Sequence, residues 1–128
     1  MVSAEVKINR NTYELNMQGH AGYCPGNDIV CSACSALAAA LIGWVYNNPK
    51  HITRVYRLTG CEEMLPGAGR AQLRLRGDRC LRSAFMTAVI GLCQVAVQYP
   101  KNVRVTINGT LLRGGEGAAA LSLQEGEK

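Results

Sequence analysis

The sequence predicts an α+β fold in one domain: a sandwich of a mainly antiparallel sheet packed with two helices, in the order ββαββαβ. Three observations point to it. Segments with period-two alternation occur in pairs, within residues 6–17 and 52–76, as the strands of hairpins do. Each pair is followed by a long apolar run headed by an aspartate, Asp28 or Asp78, a residue whose carboxylate caps helix N-termini. Helices therefore separate hairpins rather than alternating with single parallel strands. The length of 128 residues, 48% of them hydrophobic, suits one globular domain with an ordinary core.

Val6 and Ile8 alternate with Lys7 and Asn9, and Tyr13, Leu15 and Met17 with Glu14 and Asn16, giving the first hairpin. Gly22, Pro25 and Gly26 then break any periodicity. The first helix should start at the Asp28 cap and run to about Tyr46, stopping at Asn47-Asn48-Pro49. Its composition, alanines with Leu37, Leu41, Ile42, Trp44 and Val45, leaves scarcely any polar face, so burial on more than one side is expected. Ile52–Leu58 and Ala71–Arg76 form the second hairpin, joined by a Gly- and Pro-containing connection over 60–70. Asp78 heads a second helix in which Leu81, Phe85, Ala88, Val89 and Leu92 recur at three and four residues, ending at Tyr99-Pro100. Val103–Ile107 is a final strand, halted by Asn108-Gly109. The expected domain is 1–109, with 110–128 a C-terminal tail that either frays or adds a strand, its last ten or so residues disordered.

The chain shows neither a signal-peptide pattern nor an uninterrupted run of about 18 apolar residues, so a cytoplasmic protein without a membrane segment is expected. Its net charge of +5 allows nucleic-acid contact without requiring it. The arginines at 54, 57, 70, 74, 76, 79 and 82 fit solvent-facing positions, with few aromatics between them to stack bases. Of six cysteines, Cys80 and Cys93 fall in the second helical pattern and are read as buried filler. His51 is read as a surface residue at the start of a strand.

The reactive residues crowd into one stretch, Gly19 to Leu37. If Asp28 caps the helix, Cys31 stands at its third position, inside the turn whose N–H groups lack partners. A helix start favours thiolate over thiol, and an imidazole can accept the proton. His20, at the end of the preceding strand, and Cys31 thus form a candidate catalytic dyad, with the backbone N–H groups of Cys31 and Ser32 as candidate oxyanion donors. Gly22 and Gly26 would let the intervening loop move over a peptide. Ser35, one helical turn beyond Cys31, and Asp28 are candidate supporting residues. Two rivals use the same neighbourhood: a zinc site of His20, Cys24, Cys31 and Cys34, and a thiol-redox pair Cys31-x-x-Cys34. Neither is favoured, since the core is adequate without zinc and no thioredoxin-like βαβ pattern flanks the cysteines. No metal and no cofactor is expected.

The run Gly19-His20-Ala21-Gly22-Tyr23, then Gly26-Asn27-Asp28-Ile29-Val30-Cys31, then Ser35-Ala36-Leu37 resembles the motif of the ribosomal-processing cysteine proteases called Prp. The resemblance extends to the ββαββαβ order over about residues 2–108. It implies His20 and Cys31 as the dyad and Asp28 and Ser35 in support. It also implies removal of a short N-terminal extension from a large-subunit ribosomal protein precursor during ribosome assembly, by a cytosolic homodimer without metal. The loop between His20 and Cys31 is one residue shorter than is usual in the family, and Cys34 replaces a small aliphatic residue. The alternative function is a non-catalytic ribosome-associated module that binds RNA or protein through its basic strands.

Overall fold

The computed structural model describes residues 1–19, 21–24, 28–59 and 70–112, the side chain of Leu112 excepted. In chain order the elements are β1 (Val2–Asn9), β2 (Thr12–Gln18), α1 (Ile29–Asn47), a 3-10 turn (Pro49–His51), β3 (Ile52–Thr59), β4 (Arg70–Gly77), α2 (Arg79–Gln98), β5 (Val103–Ile107) and β6 (Thr110–Leu112). The strands form one sheet in the order β3-β4-β2-β1-β5-β6, in which only β1 and β5 run parallel.

The alternation read in the sequence becomes two unlike faces. Val2, Ala4 and Val6 of β1, Tyr13, Leu15 and Met17 of β2, Ala71, Leu73 and Leu75 of β4, and Val103, Val105 and Ile107 of β5 are all buried. Residues between them, such as Glu5, Lys7, Arg74, Arg76 and Arg104, are exposed. Both helices contribute to the same core, α1 through Val30, Cys34, Ala38, Leu41, Ile42 and Val45, and α2 through Leu81, Phe85, Met86, Ala88, Val89, Leu92 and Cys93. This is one sheet with a two-helix layer over its apolar face.

Several expectations change on meeting the structure. Asn108-Gly109 does not halt the sheet but turns it: both residues have positive φ, 50° and 84°, and β6 pairs back on β5. Asn-Gly is a favoured hairpin turn for that reason. The domain therefore extends to Leu112 among the described residues, while the expected connection lies mostly outside them, as does the tail beyond 112. α1 packs on α2 as well as in the core shared with the sheet, but its two ends leave Ile29 and Tyr46 53% and 63% exposed.

Both helices are, by length and composition, apolar enough to cross a bilayer, with mean hydropathy 1.9 and 1.7. An uninterrupted apolar run is a stricter criterion, which alanine-rich helices with scattered polar residues do not meet. Their buried stripes here pack in the core shared with the sheet. Cys80 is exposed rather than buried, because it stands with Arg79 on the outer side of the first turn of α2, which sends Leu81 into the core. His51 closes the 3-10 turn, stacks on Trp44 with ring centroids 6.0 Å apart and meets the Asp78 carboxylate at 2.7 Å.

Candidate active site

The neighbourhood of Cys31 is built where β2 hands the chain to α1. Gly19 follows β2 with φ 98°, and a Cβ there would collide with the Met1 carbonyl oxygen. Only glycine serves there, because the backbone is left-handed and another segment's backbone lies against it. Ala21 is then buried, and Gly22 turns again with φ 68°. The chain is drawn back to the helix start by Asp28. Its Oδ1 accepts N–H bonds from Val30 at 3.0 Å and Cys31 at 2.9 Å, and its Oδ2 accepts one from Tyr23 at 3.0 Å. One carboxylate thus caps α1 and ties the loop to it. Burial alone would raise the Asp28 pKa, but the N–H groups of Cys31, Tyr23, Cys24 and Val30 together outweigh it and hold the carboxyl below its ordinary value.

Cys31 occupies the third position of α1, half-buried. The backbone N–H of Ala21 donates to its Sγ at 3.0 Å. The expected oxyanion donors are both engaged: Cys31 N–H on Asp28 Oδ1, and Ser32 N–H on the Asp28 carbonyl at 3.0 Å. The cap consumes the first and the first intrahelical hydrogen bond consumes the second, so these groups do not stand free as expected from the sequence. Ser35 is half-buried one turn on. Among the described residues the hydrogen bond to the Cys31 sulfur comes from Ala21. His20 and Gly26 lie outside the described residues.

The family model of cysteine protease Prp matches residues 1–104. The chain belongs to the Prp family of cysteine proteases. Its fold is shared with solved structures of that family. The essential ribosomal processing protease Prp from S. aureus, in complex with a covalently linked product peptide, aligns with TM-score 0.69 and 18% identity, over 84% of this chain and 100% of that one. The same S. aureus protease in complex with a substrate peptide aligns with TM-score 0.60 and 16% identity, over 84% and 100%. SMU.848 from Streptococcus mutans aligns with TM-score 0.60 and 20% identity, over 84% and 93%. No curated protein matches the chain in sequence.

Cys34 behaves as a small apolar residue. It is buried, and burial, then the neighbouring Cys31 sulfur and Asp28 carboxylate, push its thiol up to about 12. A thiol that resists ionisation is a poor redox partner and a poor metal ligand. Cys24, Cys31 and Cys34 are free thiols. Among the described residues, the group able to approach a metal is His51, Asp78 and Cys80, with ligand atoms within 4.8 Å of one another. It lies beyond the other end of α1 from Cys31. Asp78 is already committed there, to the Cys80 and Leu81 N–H groups at 2.9 and 3.3 Å and to His51. Sequence reasoning missed Ala21 and its anchor Asn102, whose Nδ2 donates to the Ala21 carbonyl at 2.9 Å. Ala21 acts through its backbone, and Asn102 lies 81 residues away in the chain.

Proposed function

We propose that this protease is a cysteine endopeptidase in which Cys31 is the nucleophile and His20 the general base and acid, supported by Asp28 and Ser35. The observation that carries the reading is the Ala21 N–H bond to Cys31 Sγ at 3.0 Å. It draws to the thiol the backbone of Ala21, the residue bonded to His20 in the chain. In the reaction the imidazole takes the Cys31 proton, and Sγ attacks the scissile carbonyl carbon. The proton then passes to the leaving amine as the C–N bond breaks, leaving a thioester. Water, losing a proton to the same imidazole, hydrolyses the thioester and returns the thiol. Gly22 and Gly26 would let the loop admit the peptide.

The substrate on this reading is the N-terminal extension of a large-subunit ribosomal protein, cut during ribosome assembly in the bacterial cytoplasm. Its support is family membership together with the S. aureus Prp structures that hold substrate and product peptides. A homodimer suits the exposed Ile29 and Tyr46 of α1, and light scattering giving twice the mass of one chain is the expected result. Incubated with the extended precursor, the unaltered protein cuts, and Cys31→Ser cuts at least about 10⁴-fold more slowly. Cutting by Cys31→Ser at the unaltered rate sinks the assignment, as binding to ribosomes that ignores Cys31 and collapses with salt favours a non-catalytic module.

A further inference from the structure

The turn between α2 and β5 reaches the thiol through two hydrogen bonds in series. Asn102 is half-buried there, and its backbone is fixed on both sides: its N–H donates to the Tyr99 carbonyl at 2.9 Å, and its carbonyl accepts from Val2 N–H at 2.8 Å. From that seat its side-chain Nδ2 donates to the Ala21 carbonyl at 2.9 Å. Ala21 in turn presents its N–H to Cys31 Sγ at 3.0 Å. The Tyr23 ring meets the Tyr99 ring edge-on, centroids 5.3 Å apart, so the same turn grips the loop at a second point.

We propose that Asn102 is a positioning residue of the protease: by holding the Ala21 carbonyl it keeps the Ala21 N–H aimed at the sulfur of Cys31. This rests on Cys31 being the nucleophile. Ala21 has a carbonyl and an N–H on successive peptide planes, and with both bonded its φ and ψ are fixed. Without the amide of Asn102, Gly22 on one side leaves the Ala21–Gly22 peptide free to turn. The Ala21 Cα, which joins that plane to the one bearing the N–H, is then held from one side only, and the donor is steadied less firmly against the sulfur. An N–H donated to the sulfur holds Sγ in one direction for attack on the carbonyl carbon.

Asn102→Asp keeps the shape but replaces the donor by an acceptor facing a carbonyl, and Asn102→Ala removes it. Both are expected to lower kcat on an extended-precursor peptide about tenfold to a hundredfold, the worth of one hydrogen bond to a charged group. KM should hold, and iodoacetamide should label Cys31 more slowly. Asn102→Gln, which keeps the donor, should recover part of the rate. Folded variants with unchanged kcat and labelling overturn the inference. If the variants do not fold, NMR of the unaltered chain decides: the Ala21 amide shift must change when Cys31 is alkylated, and the Asn102 side-chain amide must couple to the Ala21 carbonyl. Absence of either overturns it. Cys31→Ser is run alongside, because cutting that survives it defeats the nucleophile assignment, whereas cutting that needs Cys31 but ignores Asn102 defeats only the positioning role.

Discussion

Asp28 shows how much one side chain settles in this molecule. Its two carboxylate oxygens receive the helix start on one side and the loop at Tyr23 on the other, so a substitution there acts on stability and on the thiol together. Asp28→Ala should cost about 0.5–2 kcal/mol, the usual worth of a helix cap, read as a lower urea midpoint. The folded carboxyl sits below its ordinary value of 3.8, so the stability it contributes is complete above that value. It is lost as pH falls through the depressed folded one. The advantage of the unaltered chain over Asp28→Asn should therefore be constant from neutral pH down to mildly acid solution and shrink in stronger acid. An advantage that grows on acidification would contradict this. The cap was legible from sequence, because aspartate before an apolar run has a local meaning. The engagement of the Cys31 and Ser32 N–H groups is a consequence of that same cap and first turn, and it removes the two donors that a helix start otherwise offers. The Ala21 donor was not legible, since a backbone group leaves no mark in the residue type.

At the scale of elements, the hairpins and helices follow from local pattern, and deviations arise where a neighbouring element intervenes. Gly77 ends β4 beneath the His51 carbonyl oxygen and the Leu81 side chain, both of which a Cβ would strike. Gly43 lies within α1, and a methyl group there would find nothing within 4 Å, so its cost is only that of glycine in a helix. Gly77→Ala is expected to destabilise by about 1–3 kcal/mol, and Gly43→Ala to stabilise by about 0.5–1 kcal/mol. Chemical denaturation of the pair checks both signs. Periodicity foresaw the bounds of α1 and α2 to within a residue or two. It could not foresee which parts of α1 stay exposed, because apolar composition does not say how many neighbours the fold supplies. β6 stood as only one of two readings of the tail for a related reason: three residues are too few to show alternation, and its signal lay in the Asn108-Gly109 turn.

For the molecule as a whole, the central place of β1, between antiparallel β2 and parallel β5, makes the two ends of the described chain interdependent. Asn108 reinforces this. Its Oδ1 accepts from Ile8 N–H at 2.9 Å, and its own N–H donates to the Val6 carbonyl at 2.8 Å. A chain ended after Leu112 keeps every strand found among the described residues. One ended after Ile107 forfeits β6 and the Asn108 bonds, each worth about 0.5–1.5 kcal/mol, and should melt measurably lower. Differential scanning calorimetry distinguishes them. Fold class was legible because two faces of a sheet write themselves as alternation; strand order was not, since pairing between β1 and β5 joins segments about a hundred residues apart. That separation has a bearing on when the neighbourhood of Cys31 is assembled. Ala21 emerges early in synthesis and Asn102 late, so a nascent chain carries the cysteine long before it carries the hook that steadies the donor beside it. Vectorial translation thereby holds back the steadied donor until the segment that carries Asn102 has been made.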